Sequence, residues 1–171
     1  MNSHGDVPPV IYAPDARDED DHRHVRPARN AAAIVVNDAG CKNAAAILIV
    51  RRSLSLPEYP GAWSFPSIYE RDDMDLLEWL EAMLREELSI EVDAPRLIAR
   101  RMASRPEWRI LLHLYAARRL TGPILRGRKY DSVKWVDPRR YVAEHDRSSA
   151  GDCVKAYADH LAKDGPRGAP A

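Results

Sequence analysis

Residues 60–90 read PGAWSFPSIYERDDMDLLEWLEAMLREELSI, a proline-glycine-aromatic loop that runs into the strongest helical pattern of the chain. From Met74 to Leu88 there is no Gly or Pro, and Asp72 or Asp73 stands where an N-cap is wanted. Leu76, Leu77, Leu80, Met83, Leu84 and Leu88 recur along one side, so the spacing predicts an amphipathic helix over 74–88. At about 100° per residue, Glu87 projects within roughly 20° of Leu80, inside the apolar stripe, and Glu86 falls at its edge beside Met83 and Trp79. An ionised carboxylate on a buried face is costly unless it is paired or coordinates a metal, so Glu87 needs a cation. Periodicity leaves the partner open between a metal ion and an arginine such as Arg100 or Arg101.

Outward from this helix the apolar pattern changes period, as it does in an α+β domain. Ala31–Val36 and Ala44–Val50 are small and β-branched runs on either side of the turn sequence Asn37-Asp38-Ala39-Gly40, and they read as a hairpin. Leu97–Met102 and Arg109–Ala116 read as a second strand pair, and Val133–Val136 as a further strand. Ser149-Ala150-Gly151-Asp152 has capping-box spacing ahead of Val154, Tyr157, Ala158 and Leu161, which predicts a C-terminal helix. The folded domain is expected over 30–163. Residues 1–29, with Pro8, Pro9, Pro14, Pro27 and the acidic run Asp18-Glu19-Asp20-Asp21, are expected to be a disordered arm, and 164–171 a disordered tail. His22 and His24 read as part of that solvated arm, with no Cys or further His nearby to make a metal site.

At 171 residues the chain is the size of one domain. Lys plus Arg total 26 and Asp plus Glu total 26, so no long-range field favours a polyanion, and nucleic acid is disfavoured as a partner. Cys41 and Cys153 lie far apart and in no C-x-x-C arrangement, which argues for a reducing compartment rather than a disulfide scaffold. The start MNSHGDVPPV lacks a basic region followed by an apolar run, and no stretch approaches the roughly 18 apolar residues of a membrane span. A cytoplasmic protein without membrane association is the expectation.

The order Pro-Gly-x-Trp-x-Phe-Pro, a loop, and a helix ending in Glu-Glu-Leu-x-Ile resembles the Nudix hydrolases over roughly residues 30–140. Their box reads G-x5-E-x7-R-E-U-x-E-E-x-G-U, with U aliphatic. Laid on without a gap from Phe65-Pro66, its paired glutamates fall on Glu86 and Glu87 and its aliphatic positions on Leu84 and Ile90. Elsewhere the box is degenerate: Ser67-Ile68 stand in place of the glycine pair, Met74 of the first glutamate, Ala82-Met83 of the Arg-Glu pair and Ser89 of the last glycine. The resemblance implies an α/β/α sandwich with a central mixed sheet, a box helix and a C-terminal helix.

It also implies a chemistry. Nudix hydrolases use Mg²⁺ or Mn²⁺ on helix carboxylates to neutralise a diphosphate and activate a water. Carried over, Glu86 and Glu87 are the catalytic and metal-holding residues, and the Ser67 carbonyl is a further metal ligand. A carboxylate at position 83 would share their side of the helix, whereas the thioether of Met83 is a poor ligand for a hard cation. In the late stretch before Trp135-Val136, Asp131 is the acid present, and Arg126, Arg128 and Lys129 suit an anionic ligand because cations, Arg forks above all, grip phosphate. Arg51 and Arg52, at the end of the second strand, and Trp63, as a stacking surface, complete the expected substrate-binding set of Arg51, Arg52, Trp63, Arg128 and Lys129.

Two functions follow. One is a hydrolase of a nucleoside diphosphate derivative or similar organic pyrophosphate, with weakened or altered catalysis. The other is a catalytically silent domain that serves as a nucleotide-binding or regulatory module, which Met74, Ala82 and Met83 favour. The expected partner is a small nucleotide or diphosphate ligand, and a homodimer is left open.

Overall fold

Ala31 to Val36 are all buried, because a run of small and β-branched residues can be covered on both faces of a sheet. That run is the spine of the fold. The computed structural model describes residues 10–12, 28–38, 46–104, 108–145 and 151–163. In chain order they form β1 (Val10–Tyr12), β2 (Ala28–Asn37), β3 (Ile47–Arg52), β4 (Trp63–Ser64), β5 (Ser67–Tyr69), α1 (Leu76–Leu88), β6 (Val92–Ser104), β7 (Arg109–Arg119), β8 (Tyr130–Val136), α2 (Pro138–His145) and α3 (Asp152–Lys163).

The sheet is mixed, in the order β1-β6-β7-β2-β3-β4, with β5 paired to β2 and β8 to β3. Strand alternation divides its apolar residues between two cores. Ala31, Ala33, Val35, Ile47 and Ile49 meet Phe65, Tyr141, Val154 and Tyr157 on one side. Ala32, Ile34, Val36, Leu48 and Val50 meet Leu80, Met83, Leu84 and Leu88 of α1 on the other. Each of those α1 side chains contributes about 1.5–3 kcal/mol by leaving water, so the helix is held by its stripe. The result is the expected α/β/α sandwich, with α1 packed on β2 and β5 and α3 on β6 and β7.

Several local expectations are corrected. The β2–β3 hairpin narrows to the single pair Asn37–Ile47. Beyond it, Ala31–Ala33 pair with β5, the Ile34 N–H donates to the Pro66 carbonyl at 3.0 Å, and the other edge of β2 runs parallel to β7 along its whole length. The α1 cap is Asp75 rather than Asp72 or Asp73; its Oδ1 accepts from the Leu77 and Glu78 N–H groups at 2.9 and 3.2 Å. Within the expected arm, Val10–Tyr12 form a strand parallel to Arg100–Met102, and β2 starts at Ala28. A Val-Ile-Tyr triplet is a strong strand former, and β6 offers it an edge. Helix α2 had no counterpart in the sequence reading; Pro138 opens it and Asp137 Oδ1 accepts from the Arg140 N–H at 2.8 Å. The rest of the arm, the tail, Cys41, the two arm histidines and the proposed Ser149 cap lie outside the described residues. Among the described residues no helix is long and apolar enough to cross a membrane.

Candidate functional site

The last turn of α1 leaves carbonyls without helical partners, and the chain returns from β7 to supply them. The Ile124 N–H donates to the Leu88 carbonyl at 2.7 Å, and the N–H groups of Arg126 and Gly127 donate to the Glu87 carbonyl at 3.0 and 3.3 Å. The same loop then covers the Glu87 side chain. Its Oε2 accepts from the Lys129 backbone N–H at 2.9 Å, and the carboxylate lies against Gly127, where a Cβ would leave it no room.

The Lys129 side chain continues inward, and its ammonium donates to the Ser67 carbonyl. That carbonyl also lies 3.4 Å from the hydroxyl of Tyr130, which accepts from the Ser67 N–H at 3.1 Å. Burial, helped by the charge of Arg52, lowers the Lys129 pKa to about 8, while Glu87 and Glu58 oppose the shift. Lys129 is therefore still mostly protonated at neutral pH. Burial pushes the Tyr130 phenol well above its ordinary range, so it remains a neutral hydroxyl. Glu87 thus answers to a backbone N–H and to the nearby charge of Lys129, with no hydrogen bond or ion pair to Arg100 or Arg101 among the described residues. Arg101 pairs instead with Asp159 at 3.0 Å on α3.

The expected site residues separate into groups. Glu87, Ser67, Lys129 and Arg52 belong together; Arg52 Nε also donates to the Glu58 carbonyl at 2.8 Å. Glu86 is exposed and makes no hydrogen bond or ion pair among the described residues. Arg51 and Trp63 belong to a different cluster. Arg51 Nε donates to Asp131 Oδ1 at 2.6 Å, its guanidinium lies 5.8 Å from the centre of the Trp63 ring, and the Lys134 ammonium lies 4.3 Å from that centre. Trp63 packs on the α3-side core, so it does not share a face with Glu87. Arg128 is exposed on the loop. Gly127 and Tyr130 were missed as members of the Glu87 group, although a glycine beside a basic run hinted at a close approach.

The carboxylates and carbonyl present do not fit a divalent ion. The Ser67 carbonyl is engaged by an ammonium, and Glu87 Oε2 by a backbone N–H. Met83, at 2% exposure, is packed in the α1-side core with Leu80, Leu84 and Leu88. Among the described residues no three carboxylate, imidazole or thiol side chains group closely enough to hold a metal ion.

No protein-family model matches the sequence, and no curated protein is significantly similar to it. Solved structures match in shape. The MutT protein of Methanosarcina mazei Go1 superimposes with a TM-score of 0.64 over 82% of this chain and 95% of its own, at 14% identity. A NUDIX hydrolase from Nitrosomonas europaea gives 0.63 over 81% and 90%, at 10% identity. A MutT NUDIX hydrolase from Burkholderia pseudomallei gives 0.59 over 78% and 98%, at 14% identity. The chain has the Nudix fold. Within that Nudix fold, α1 is the helix that carries the box-like sequence, and Lys129 reaches the two groups, Ser67 and Glu87, that the box resemblance assigns to a metal.

Proposed function

We propose that this Nudix-fold chain is a binding module for a small nucleotide or organic diphosphate, and that it works without a divalent ion on the helix carboxylates. One observation carries the reading: Lys129 gives its N–H to Glu87 and its ammonium to the Ser67 carbonyl. A fixed ammonium on the Ser67 carbonyl, with the Glu87 charge acting on it, puts a cation where the box resemblance expects a metal ion. It has no open coordination position at which a water is polarised into a nucleophile, so the step that would start hydrolysis lacks its source. Arg52 beside it, with Arg126 and Arg128 on the same loop, adds cations suited to phosphate oxygens.

The hydrolase reading keeps one observation, the exposed carboxylate of Glu86, unpaired among the described residues, and it makes the opposite forecast. A thermal-shift screen of nucleoside diphosphates and sugar nucleotides, with Mg²⁺, Mn²⁺ or EDTA, separates the two. The binding module is stabilised equally in all three, with no metal-dependent release of phosphate or nucleoside monophosphate. Stabilisation that requires metal, together with turnover, returns the hydrolase.

A further inference from the structure

A second polar group lies on the sheet outside this site. Strand alternation puts Arg100 of β6 and His113 and Tyr115 of β7 on the α1 side of the sheet, where all three are only part-buried. Leu112 and Leu114, which point to the α3 side, are buried. Arg100 stands directly across from His113 in the β6–β7 register.

His113 Nε2 is 3.2 Å from Asn30 Oδ1, and Asn30 Nδ2 donates to Glu70 Oε2 at 2.7 Å. An ionised carboxylate only accepts, so Asn30 turns its amide nitrogen to Glu70 and its carbonyl to His113, and Nε2 is the donor. The outer nitrogen, Nδ1, is left for another partner. Burial and then the Arg100 charge hold the imidazole below its ordinary pKa, against a weaker pull from Glu70, so it is neutral at pH 7.

Arg100 has no such partner. Among the described residues its guanidinium makes no hydrogen bond, ion pair or aromatic contact, while the next residue, Arg101, reaches Asp159 at 3.0 Å and Asp152 at 4.0 Å on the other face. The acids near the Arg100 group are already in use. Glu70 holds Asn30, and Asp75, whose charge acts on Tyr115, caps α1. A part-buried guanidinium without an anion is unfavourable, and its paired N–H groups suit a planar or tetrahedral oxyanion.

We propose that this face is a binding site for the phosphate or carboxylate group of a small ligand, with Arg100 as the anchoring cation and His113 and the Tyr115 hydroxyl as neighbouring donors. Asp75 and Glu87 stand at opposite ends of α1, roughly 18 Å apart along the helix, so this site does not rest on the Lys129 reading. An anion bound beside His113 favours the imidazolium, because the outer nitrogen then gains a proton to donate.

The test is an NMR titration of the His113 ring in the full chain near pH 6.5, with sodium phosphate or sodium acetate at constant ionic strength. The site gives saturable shifts and a raised His113 midpoint; shifts with phosphate alone assign a phosphate ligand, and shifts with both admit a carboxylate. Arg100→Gln weakens binding about tenfold or more, the loss of one charge-assisted contact. Arg118→Gln, whose guanidinium is already bonded to Asp93 at 2.8 Å, leaves it unchanged. No saturable shift with either anion, or equal affinity in folded Arg100→Gln, overturns the proposal. Should Arg100→Gln fail to fold, Tyr115→Phe takes its place: severalfold weaker binding supports the site, and unchanged binding overturns it.

Discussion

Gly127 lies so close to the carboxylate of Glu87 that a Cβ on it would collide with Oε2 and Cδ. Space, not backbone angle, requires the glycine, since Gly127 is not among the positive-φ residues. Gly127→Ala is expected to push the carboxylate off the Lys129 N–H and to cost about 1–3 kcal/mol, the usual range for overpacking. In a Glu87→Ala background the obstacle is gone, and the same substitution should cost less than about 0.5 kcal/mol. Urea denaturation of the four proteins measures the cycle. Additive losses would mean that the two residues do not touch.

Ser89 ends α1 in the left-handed region, at φ 50°, ψ 34°, with its N–H on the Arg85 carbonyl at 3.1 Å. Its hydroxyl is buried and has no hydrogen-bond partner among the described residues. A side chain strains this conformation and the hydroxyl gains nothing in return, so Ser89→Gly should stabilise the fold by about 1 kcal/mol. The melting temperature checks this, and a fall would show that the hydroxyl has a partner.

The apolar stripe of α1 was legible in the sequence, as was the need of Glu87 for a polar partner, because both depend only on helical angle. Which group answers it was not. Lys129 arrives from 42 residues away, through a loop whose course is set by the free carbonyls of α1 rather than by any periodicity. The partition of the basic residues was hidden for a related reason: Arg51 and Arg52 are neighbours in sequence, but successive residues of a strand face opposite sides of the sheet. The β2–β3 hairpin was overread because a turn between two apolar runs says which ends meet, not how far the strands stay together. Ala31–Ala33 find β5 instead.

Met83 was read as a place where a carboxylate would complete a metal cage. It is buried among Ile34, Leu80, Leu84 and Leu88 in the α1-side core, so Met83→Glu would bury a charge without a partner. Destabilisation of roughly several kcal/mol is expected, with no gain in Mn²⁺ affinity. Calorimetric titration of Mn²⁺ beside a melting curve decides it. Tighter Mn²⁺ binding without loss of stability would restore the cage.

Lys129 makes the sharpest forecast, because its folded pKa of about 8 lies below the ordinary 10.5. Between those values the unfolded chain holds a proton that the folded chain has released, so stability rises with pH across that window. Below it both states carry the proton, above it neither does, and the slope from this group vanishes. Lys129→Met keeps the length of the side chain and removes the charge, so it should remove the rise. Between pH 7.5 and 10 the unfolding free energy of the wild type should therefore gain on that of Lys129→Met by on the order of 2 kcal/mol. Tyrosines titrating near pH 10 are common to both proteins and largely cancel in the difference. Parallel pH profiles would mean that the ammonium sits in water rather than on the Ser67 carbonyl, and the metal-free reading of the site would lose the contact on which it stands.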